Sequence, residues 1–177
     1  MSGERVFQFN VETEVDRLFD DSSIPADGQP AAVILMGPPA SGKTTIRKQK
    51  YSRGYVLIDA ADIFLNLSRG EFFAFPDAFR EPMDLIGRLV AHRALSERRN
   101  ILTEVIGAEV EPTRQLIEAL KSLGYKVQGV GITCDVDEAL RRNASRGEND
   151  ISAYYAEPIQ RAWIIDACTE LSNNRKA

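Results

Sequence analysis

The sequence predicts an α/β fold of three layers, in which a central, mainly parallel sheet lies between helices. From residue 31 onward, short aliphatic segments alternate with segments of helical periodicity, which is typical of a parallel sheet with crossover helices. Residues 31–36 are apolar at every position, as expected for a strand buried on both faces of a sheet. A length of 177 residues with 44% hydrophobic and 27% charged residues is typical of one soluble globular domain.

The predicted strands are short aliphatic runs, and they comprise residues 31–36, 55–58, 100–106 and 126–133. The predicted helices have apolar residues at helical spacing or helix-terminal residues at their ends, and they comprise residues 11–19, 43–51, 84–99, 111–123, 136–145 and 159–171. No convincing strand follows the last helix, so we expect a sheet of about four core strands. The order of the strands cannot be read from the residues alone.

A loop of turn-forming residues at 20–30 divides the chain into two parts. We expect residues 1–30 to form an N-terminal arm with a short helix. Residues 31–177 are then expected to form the α/β domain itself.

Charge and composition exclude several classes of protein. A net charge of −4 and a pI of about 5.2 argue against a general nucleic-acid binder, although they allow a local basic pocket. The longest apolar run is too short to cross a bilayer, and the N-terminus has no leader pattern. Cys134 and Cys168 do not make a disulfide framework and are interpreted as reduced thiols. We therefore predict a cytoplasmic protein without membrane or nucleic-acid partners.

Residues 37–44 read Gly-Pro-Pro-Ala-Ser-Gly-Lys-Thr, which fits the phosphate-binding pattern G-x-x-x-x-G-K-[ST] between a strand and a helix. Glycines at both ends permit backbone conformations that direct successive N–H groups into one concavity. The following helix adds its positive N-terminal end. Lys43 is predicted to reach the β- and γ-phosphates of ATP, and the Thr44 hydroxyl to bind Mg²⁺. The predicted nucleotide site comprises Gly37, Pro38, Pro39, Ala40, Ser41, Gly42, Lys43, Thr44 and, on the α-phosphate side, Thr45.

The features that accompany this loop indicate a kinase. A GTPase would carry an N-K-x-D motif to read the base, and the sequence has none. An AAA-type ATPase would need a longer chain and an acidic pair closing a strand, whereas the third predicted strand closes with Thr103 and Glu104. A short chain of this kind is typical of the P-loop NTPase fold in its small-kinase form, with residues 31–177 as the kinase domain.

Two carboxylates, Asp59 and Asp62, follow the second predicted strand. A carboxylate at the C-terminal end of such a strand lies at the ligand-binding edge of the sheet. There it can accept a proton from an attacking hydroxyl or position that hydroxyl. Either residue could instead cap a helix. Both are predicted to bind the acceptor, and which of them is the base stays open.

Three further charged residues are candidates for the site. Glu104 lies in an apolar run and is interpreted as a ligand of acceptor hydroxyls or of Mg²⁺-bound water, with an exposed strand end as the alternative. Arg142 and Arg146 are four residues apart and share a helix face. They are predicted to form a lid over the triphosphate and to stabilise charge on the transferring phosphoryl group. The alternative is a solvated face near the end of a helix.

Several of these segments resemble the zeta-toxin family of P-loop kinases. The resemblance rests on the phosphate loop, on Tyr-Val-Leu-Ile-Asp-Ala-Ala-Asp at residues 55–62, and on residues 123–128 and 136–142, and it extends over residues 31–146. It implies transfer of phosphate from ATP, with Mg²⁺, to a sugar hydroxyl of UDP-N-acetylglucosamine. An antitoxin-like inhibitor would fit the resemblance, although no segment of the sequence reveals one.

The resemblance also implies roles for individual residues. Lys43 and Thr44 take the phosphate-loop roles, and Asp62 activates the acceptor hydroxyl. Glu104 helps to hold the acceptor, and Arg142 with Arg146 match the lid arginines.

The sequence departs from the family on the acceptor side. Two residues separate Asp59 from Asp62, where the family usually has one, and Val-Ile-Gly-Ala at residues 105–108 replaces the usual Gly-Thr-hydrophobic-Arg run. The arginine and His-Pro pair often found after the second strand are replaced by residues 64–67. We therefore predict an ATP-dependent kinase acting on a hydroxyl of a small molecule, with a UDP-N-acetylglucosamine-type sugar nucleotide as one candidate. The alternatives are a kinase for another acceptor (a nucleoside, small metabolite or antibiotic) and an ATP-binding regulatory module without transfer activity.

Overall fold

The structure, a computed structural model, describes residues 9–69, 77–107 and 109–145. Its strands are β1 Ala31–Met36, β2 Val56–Ile58, β3 Ile101–Val105 and β4 Lys126–Gly131. Its helices are α1 Val11–Arg17, α2 Lys43–Lys50, α3 Ala60–Leu67, α4 Asp77–Ser96, α5 Val110–Ser122 and α6 Val136–Ala144. The four strands form one parallel sheet in the order β2-β3-β1-β4. The predicted α/β class and the four strands are confirmed.

Strand β1 lies inside the sheet, which explains why it is apolar throughout. Its Leu35 is opposite Glu104 of β3 on one side and Val130 of β4 on the other. Because all the strands are parallel, their carboxyl ends lie along one edge of the sheet. The phosphate loop leaves β1 at this edge, between the ends of β3 and β4.

Side chains that alternate along the strands feed a separate apolar cluster on each face of the sheet. On one face, Ile34 and Ile101 are buried in a cluster that also takes residues from α1, α3, α4 and α5. On the other face, Val33, Leu35 and Leu102 form a smaller cluster with partly buried residues such as Tyr51. The sheet is therefore apolar on both sides, as a parallel sheet between helices requires.

Helix α1 packs against the domain, although residues 1–30 were expected to form an arm. Val15, Leu18 and Phe19 are buried in the cluster that holds Ile34. The guanidinium of Arg93 in α4 lies 4.2 Å from the centroid of the Phe19 ring. The predicted short helix is present, and residues 15, 18 and 19 belong to the core, whereas most of residues 20–29 are exposed.

Two helices differ from the sequence prediction. Helix α3 was not predicted, although Asp59 caps it and Ile63, Phe64 and Leu67 bury its apolar face. Helix α4 begins at Asp77, ahead of the predicted start at residue 84, and contains Pro82. A proline normally breaks a helix because it lacks an N–H group. Here Phe79, three residues before Pro82, and Met83, directly after it, are buried in the core, and their burial offsets the missing bond.

Several sequence predictions lie outside the described residues, among them the last helix at 159–171, Cys168 and Arg146. In the part of the chain that the structure describes, no helix is both long enough and apolar enough to span a membrane.

Candidate active site

The phosphate loop has a backbone that requires glycine at two places. Gly42, which precedes α2, has φ 99°, in the left-handed region that favours glycine. A Cβ atom on Gly37 would lie 2.4 Å from the carbonyl oxygen of Ile132. This close approach is fixed by hydrogen bonds, because the Ile132 N–H donates to Met36 at 2.7 Å and the Gly37 N–H donates to Val105 at 3.2 Å. The loop is thus held between the ends of β3 and β4.

Two polar side chains of the loop, Lys43 and Ser41, lie where phosphate groups would bind. The Nζ atom of Lys43 donates to the carbonyl oxygens of Gly37 at 2.7 Å and Pro38 at 3.0 Å. The Ser41 hydroxyl is buried and has no hydrogen-bond partner among the described residues. A buried hydroxyl is costly without a partner, and a phosphate oxygen in the loop would supply one. The donor set and the glycine-lined curvature therefore fit the phosphate groups of a nucleotide.

Thr44, Arg47 and Glu104 form a cluster beside the loop. The Thr44 hydroxyl donates to Oε2 of Glu104 at 3.3 Å, and Nε of Arg47 donates to Oε1 at 2.6 Å. The Glu104 side chain is 7% exposed and that of Arg47 17%, so their ion pair is largely buried. A hydroxyl and a carboxylate are hard oxygen donors of the kind that Mg²⁺ binds through one or two protein groups.

Arg47 was not among the site residues predicted from the sequence. The helical spacing could have indicated it, because Arg47 lies one turn after Thr44 in the predicted helix and so shares a helix face with it.

Asp59 caps α3 and lies near the Glu104 cluster. One of its carboxylate oxygens accepts from the Ala61 N–H at 3.1 Å. Burial, and then the negative charge of Glu104, raise the pKa of Asp59 to about 6, against opposing effects of the Ala61 hydrogen bond and the Arg47 charge. Asp59 therefore caps the helix, as the alternative interpretation predicted. Because its pKa is about 6, its charge also changes with pH slightly below neutrality.

Asp62 faces a different set of partners. Its Oδ2 accepts from Nη2 of Arg17 at 2.8 Å, and the same nitrogen donates to Glu14 at 2.6 Å. Glu14, which is buried, also accepts from the side chain of Asn66 in α3. Burial lowers the pKa of Arg17, but hydrogen bonds and charges from Glu14 and Asp62 outweigh it, so the net shift is upward. This network joins α1 to α3 and holds the Asp62 carboxylate in place.

Arg142 lies on the β4 side of the loop. Its Nε donates to Glu138 at 2.6 Å, and its side chain is 47% exposed. Burial raises the pKa of the Cys134 thiol, and the positive charges of Arg142 and Lys43 act in the opposite direction. Both cations therefore lie within electrostatic range of the same thiol.

The structure thus brings the phosphate loop, Glu104 and Asp59 together at one edge of the sheet. The loop and Glu104 are joined by a hydrogen bond, and Asp59 lies within the field of Glu104. Asp62 is held by Arg17 of α1, and Arg142 is hydrogen-bonded to Glu138 of its own helix.

Most of the chain matches a known protein family. Residues 33–170, more than half of the chain, match the family AAA_33, described as an AAA domain. The chain is thereby grouped with AAA domains despite the short length and the single carboxylate that argued against an AAA-type ATPase. A search of curated proteins found no match.

Among solved structures, similar folds occur in three systems. A structure from the PezAT chromosomal toxin–antitoxin system of Streptococcus pneumoniae has a TM-score of 0.57 at 19% identity, covering 93% of this chain and 70% of that one. The AvrRxo1-ORF1:-ORF2 complex with ATP has a TM-score of 0.68 at 15% identity, covering 92% and 57%. The Pnkp1/Rnl/Hen1 RNA repair complex has a TM-score of 0.62 at 17% identity, covering 84% and 46%. The chain thus spans about half the length of the last two proteins.

The phosphate loop, the parallel sheet order and the family match agree with the resemblance that the sequence motifs indicated. The chain belongs to the AAA_33 family of AAA domains, and its fold is similar to those of the PezAT and AvrRxo1 structures.

Proposed function

We propose that this protein is an ATP-dependent kinase that transfers the γ-phosphate to a hydroxyl group of a small molecule. The observation that carries the proposal is the convergence, at one sheet edge, of a phosphate loop and carboxylates from two neighbouring strands. Lys43 and Thr44 begin α2, Glu104 lies on β3, and Asp59 with Asp62 begin α3. A phosphate donor and an alcohol acceptor would meet between these two groups of residues.

On the nucleotide side, the residues bind and neutralise negative charge. The loop N–H groups and the positive end of α2 suit phosphate oxygens. Lys43 would exchange its bonds to Gly37 and Pro38 for phosphate oxygens. Thr44 would hold Mg²⁺, which when bound supplies charge neutralisation between the β- and γ-phosphates. Thr45 begins the same helix, on the proposed α-phosphate side.

On the acceptor side, we propose Asp62 as the base and Asp59 as a second carboxylate that binds the acceptor. A base must be held in a fixed orientation, and the Arg17 guanidinium, whose Nη2 lies 2.8 Å from Oδ2 of Asp62, supplies such a hold. One carboxylate oxygen of Asp59 already accepts the hydrogen bond that caps α3. Arg142, with Arg146 beyond the described residues, would close over the triphosphate from the β4 side and stabilise charge on the transferring group.

The wider assignment follows from these roles. We propose that residues 31–177 form the kinase domain, with α1 packed on it, in a cytoplasmic protein. An antitoxin-like inhibitor is a candidate partner, because two of the structural neighbours come from complexes described as PezAT toxin–antitoxin and AvrRxo1-ORF1:-ORF2.

The experiment that tests the kinase proposal is substitution of Lys43. Lys43→Ala should lower ATP turnover by at least about a hundredfold, because charge neutralisation at the transferring group supplies much of the rate in such enzymes. The fold should survive, since the Lys43 amine donates to two carbonyl oxygens of its own loop and joins no strands of the sheet through these bonds. Lys121→Ala on the exposed face of α5 is the matched control and should leave turnover unchanged. Full activity of Lys43→Ala would contradict the proposal.

The acceptor is identified by a screen for a mass increase of one phosphate in the presence of ATP and Mg²⁺. UDP-N-acetylglucosamine is the first candidate, because of the zeta-toxin resemblance. Nucleosides, small metabolites and antibiotics form the second group. An oligoribonucleotide with a 5′-hydroxyl is added because one structural neighbour belongs to an RNA repair complex.

A regulatory module without transfer activity is the remaining alternative. It predicts ATP binding without a mass shift on any acceptor. It also predicts that alanine at Asp59, Asp62 and Glu104 together leaves ATP consumption unchanged.

A further inference from the structure

The Glu104 carboxylate is held by two residues of the helix that follows the phosphate loop. Its Oε1 accepts from Nε of Arg47 at 2.6 Å, and its Oε2 accepts from the Thr44 hydroxyl at 3.3 Å. Thr44 and Arg47 are one turn apart on α2 and reach the same carboxylate from one helix face. Both oxygens of Glu104 are therefore directed toward the nucleotide side of the edge.

The burial of this pair makes its geometry stable. The Glu104 side chain is 7% exposed, and Arg47 is the one ion-pair partner that the described structure gives it. Without Arg47, a largely buried negative charge would lose its compensation. The short hydrogen bond from the planar guanidinium also restricts rotation of the carboxylate. Arg47 is thus suited to decide which way Glu104 faces.

The acceptor side has its own carboxylates, which are held by other groups. Asp59 is fixed by the cap of α3, and Asp62 by Arg17 of α1. Neither aspartate forms a hydrogen bond or ion pair with Arg47 or Thr44 in the described part of the chain, although the charges of Arg47 and Glu104 both act on Asp59. The groups that orient Glu104 are therefore different from those that orient the two aspartates, and both Glu104 oxygens are bonded by side chains of α2. The family resemblance, in contrast, implied that Glu104 helps to hold the acceptor.

We propose that Arg47 is a positioning residue that keeps Glu104 beside the Thr44 hydroxyl, so that Glu104 serves the Mg²⁺ of the bound nucleotide and not the acceptor. This inference rests on the proposed function for its nucleotide and metal. It adds a residue that the phosphate-binding motif does not contain, and of the two roles predicted for Glu104 it selects the one toward Mg²⁺.

The test measures binding of the ATP analogue AMP-PNP by calorimetry, once with Mg²⁺ and once with EDTA, so it requires neither an acceptor nor turnover. In Arg47→Ala, the gain in affinity that Mg²⁺ provides should fall by about 10- to 100-fold, the range typical for loss of a residue that orients a metal ligand. Affinity in EDTA should stay near that of the unmodified protein. Arg47→Lys should recover part of the gain, because lysine restores the charge without the planar geometry.

A double-mutant cycle separates positioning from a direct contact. If Arg47 acts through Glu104, the Arg47→Ala/Glu104→Gln protein should bind Mg²⁺·AMP-PNP no more weakly than Glu104→Gln alone. Arg114→Ala, which removes an exposed arginine paired with Glu111 on α5, is the control and should change neither affinity. An equal loss with Mg²⁺ and with EDTA in Arg47→Ala would overturn the proposal, and so would additive losses in the double variant.

The cycle stays informative if Arg47→Ala fails to fold. In the double variant the buried carboxylate has become a neutral amide, so the uncompensated charge is gone. The affinity of the double variant for Mg²⁺·AMP-PNP is then compared with that of Glu104→Gln. We expect equal affinities, and a further loss in the double variant would contradict the inference. Should no acceptor be phosphorylated while the binding cycle behaves as expected, the kinase proposal fails and the role of Arg47 stands.

Discussion

The Nη2 atom of Arg17 lies 2.8 Å from Oδ2 of Asp62, although 45 positions separate the two residues along the chain. The same guanidinium binds the buried carboxylate of Glu14, which in turn contacts Asn66. One cation from α1 therefore holds a carboxylate at the start of α3, on the acceptor side of the proposed site. The segment that was expected to be an arm is physically connected to the proposed base.

The first prediction concerns which aspartate is the base. Asp62→Asn should lower kcat by about 10²–10⁴-fold, the range for loss of a general base, because asparagine cannot take the proton of the acceptor hydroxyl. Asp59→Asn should have a smaller effect, because asparagine caps helices as well as aspartate does. Steady-state kinetics on the identified acceptor measures both. A larger loss in Asp59→Asn would assign the base to Asp59.

The second prediction concerns the stability that Arg17 provides. Arg17→Ala should lower the free energy of unfolding by about 1–3 kcal/mol, because the buried Glu14 loses its charged partner. The figure is below that of a fully buried pair, since the Arg17 side chain is 35% exposed. Urea denaturation measures it, with the exposed Arg114→Ala as a control that should change stability by less than about 0.5 kcal/mol. Equal midpoints for the two variants would show that the network contributes nothing.

The third prediction concerns the pH dependence of stability. The pKa of Asp59 rises from 3.8 in its unperturbed state to about 6 in the folded protein, chiefly through burial and then through the charge of Glu104. The folded state therefore binds this proton more tightly than the unfolded state. The favourable contribution is complete below pH about 4 and is lost as the pH rises through about 6.

Asp59→Asn should remove this loss. The variant's stability relative to the unmodified protein should increase between pH 4 and pH 6 and stay constant above pH 7. The rise in pKa corresponds to at most about 3 kcal/mol. Thermal or urea unfolding across this pH range measures the difference, and a difference that does not vary with pH would contradict the prediction. The comparison between variant and parent cancels the titration of groups that do not interact with Asp59.

The fourth prediction concerns the close approach at Gly37. Gly37→Ala would place a Cβ atom 2.4 Å from the Ile132 carbonyl oxygen, so the loop backbone must shift. We expect weaker binding of AMP-PNP and a stability loss of about 1–3 kcal/mol. Gly87→Ala is the control, because its Cβ would meet no described atom within 4 Å and it lies inside helix α4. The control should leave binding intact and raise stability by up to about 1 kcal/mol. Unchanged binding in Gly37→Ala would show that the loop tolerates the shift.

The parts of the fold that depend on local patterns were predictable. Strand β1 has the predicted bounds, because an unbroken apolar run followed by glycine specifies a central strand and its end. Helix α3 was missed because its eight residues follow a short strand directly, and Asp59 suited a binding role and a cap equally well. The start of α4 was misplaced because the burial of Phe79 and Met83 around Pro82 is a tertiary effect.

The residues of the candidate site also fall into those that local sequence predicted and those that depend on tertiary contacts. A contiguous motif identified the phosphate loop, because its chemistry depends on consecutive backbone groups and on side chains at fixed spacing from them. Arg47 was not predicted as a site residue because its role depends on an ion pair with Glu104, which lies on a strand distant in sequence. Arg17 escaped notice because nothing near it in the sequence indicates that α1 reaches α3.

By itself, the amino-acid sequence determined the class of the fold, the phosphate loop and the set of acidic residues near the sheet edge. These features are local, since hydrophobic periodicity, glycine positions and strand ends act over a few residues. Only the tertiary structure decided the strand order and the partner of each carboxylate, with Arg47 on Glu104, the α3 cap on Asp59 and Arg17 on Asp62. The physical reason is that an ion pair depends on a distance of a few ångströms, and packing of the whole chain sets that distance.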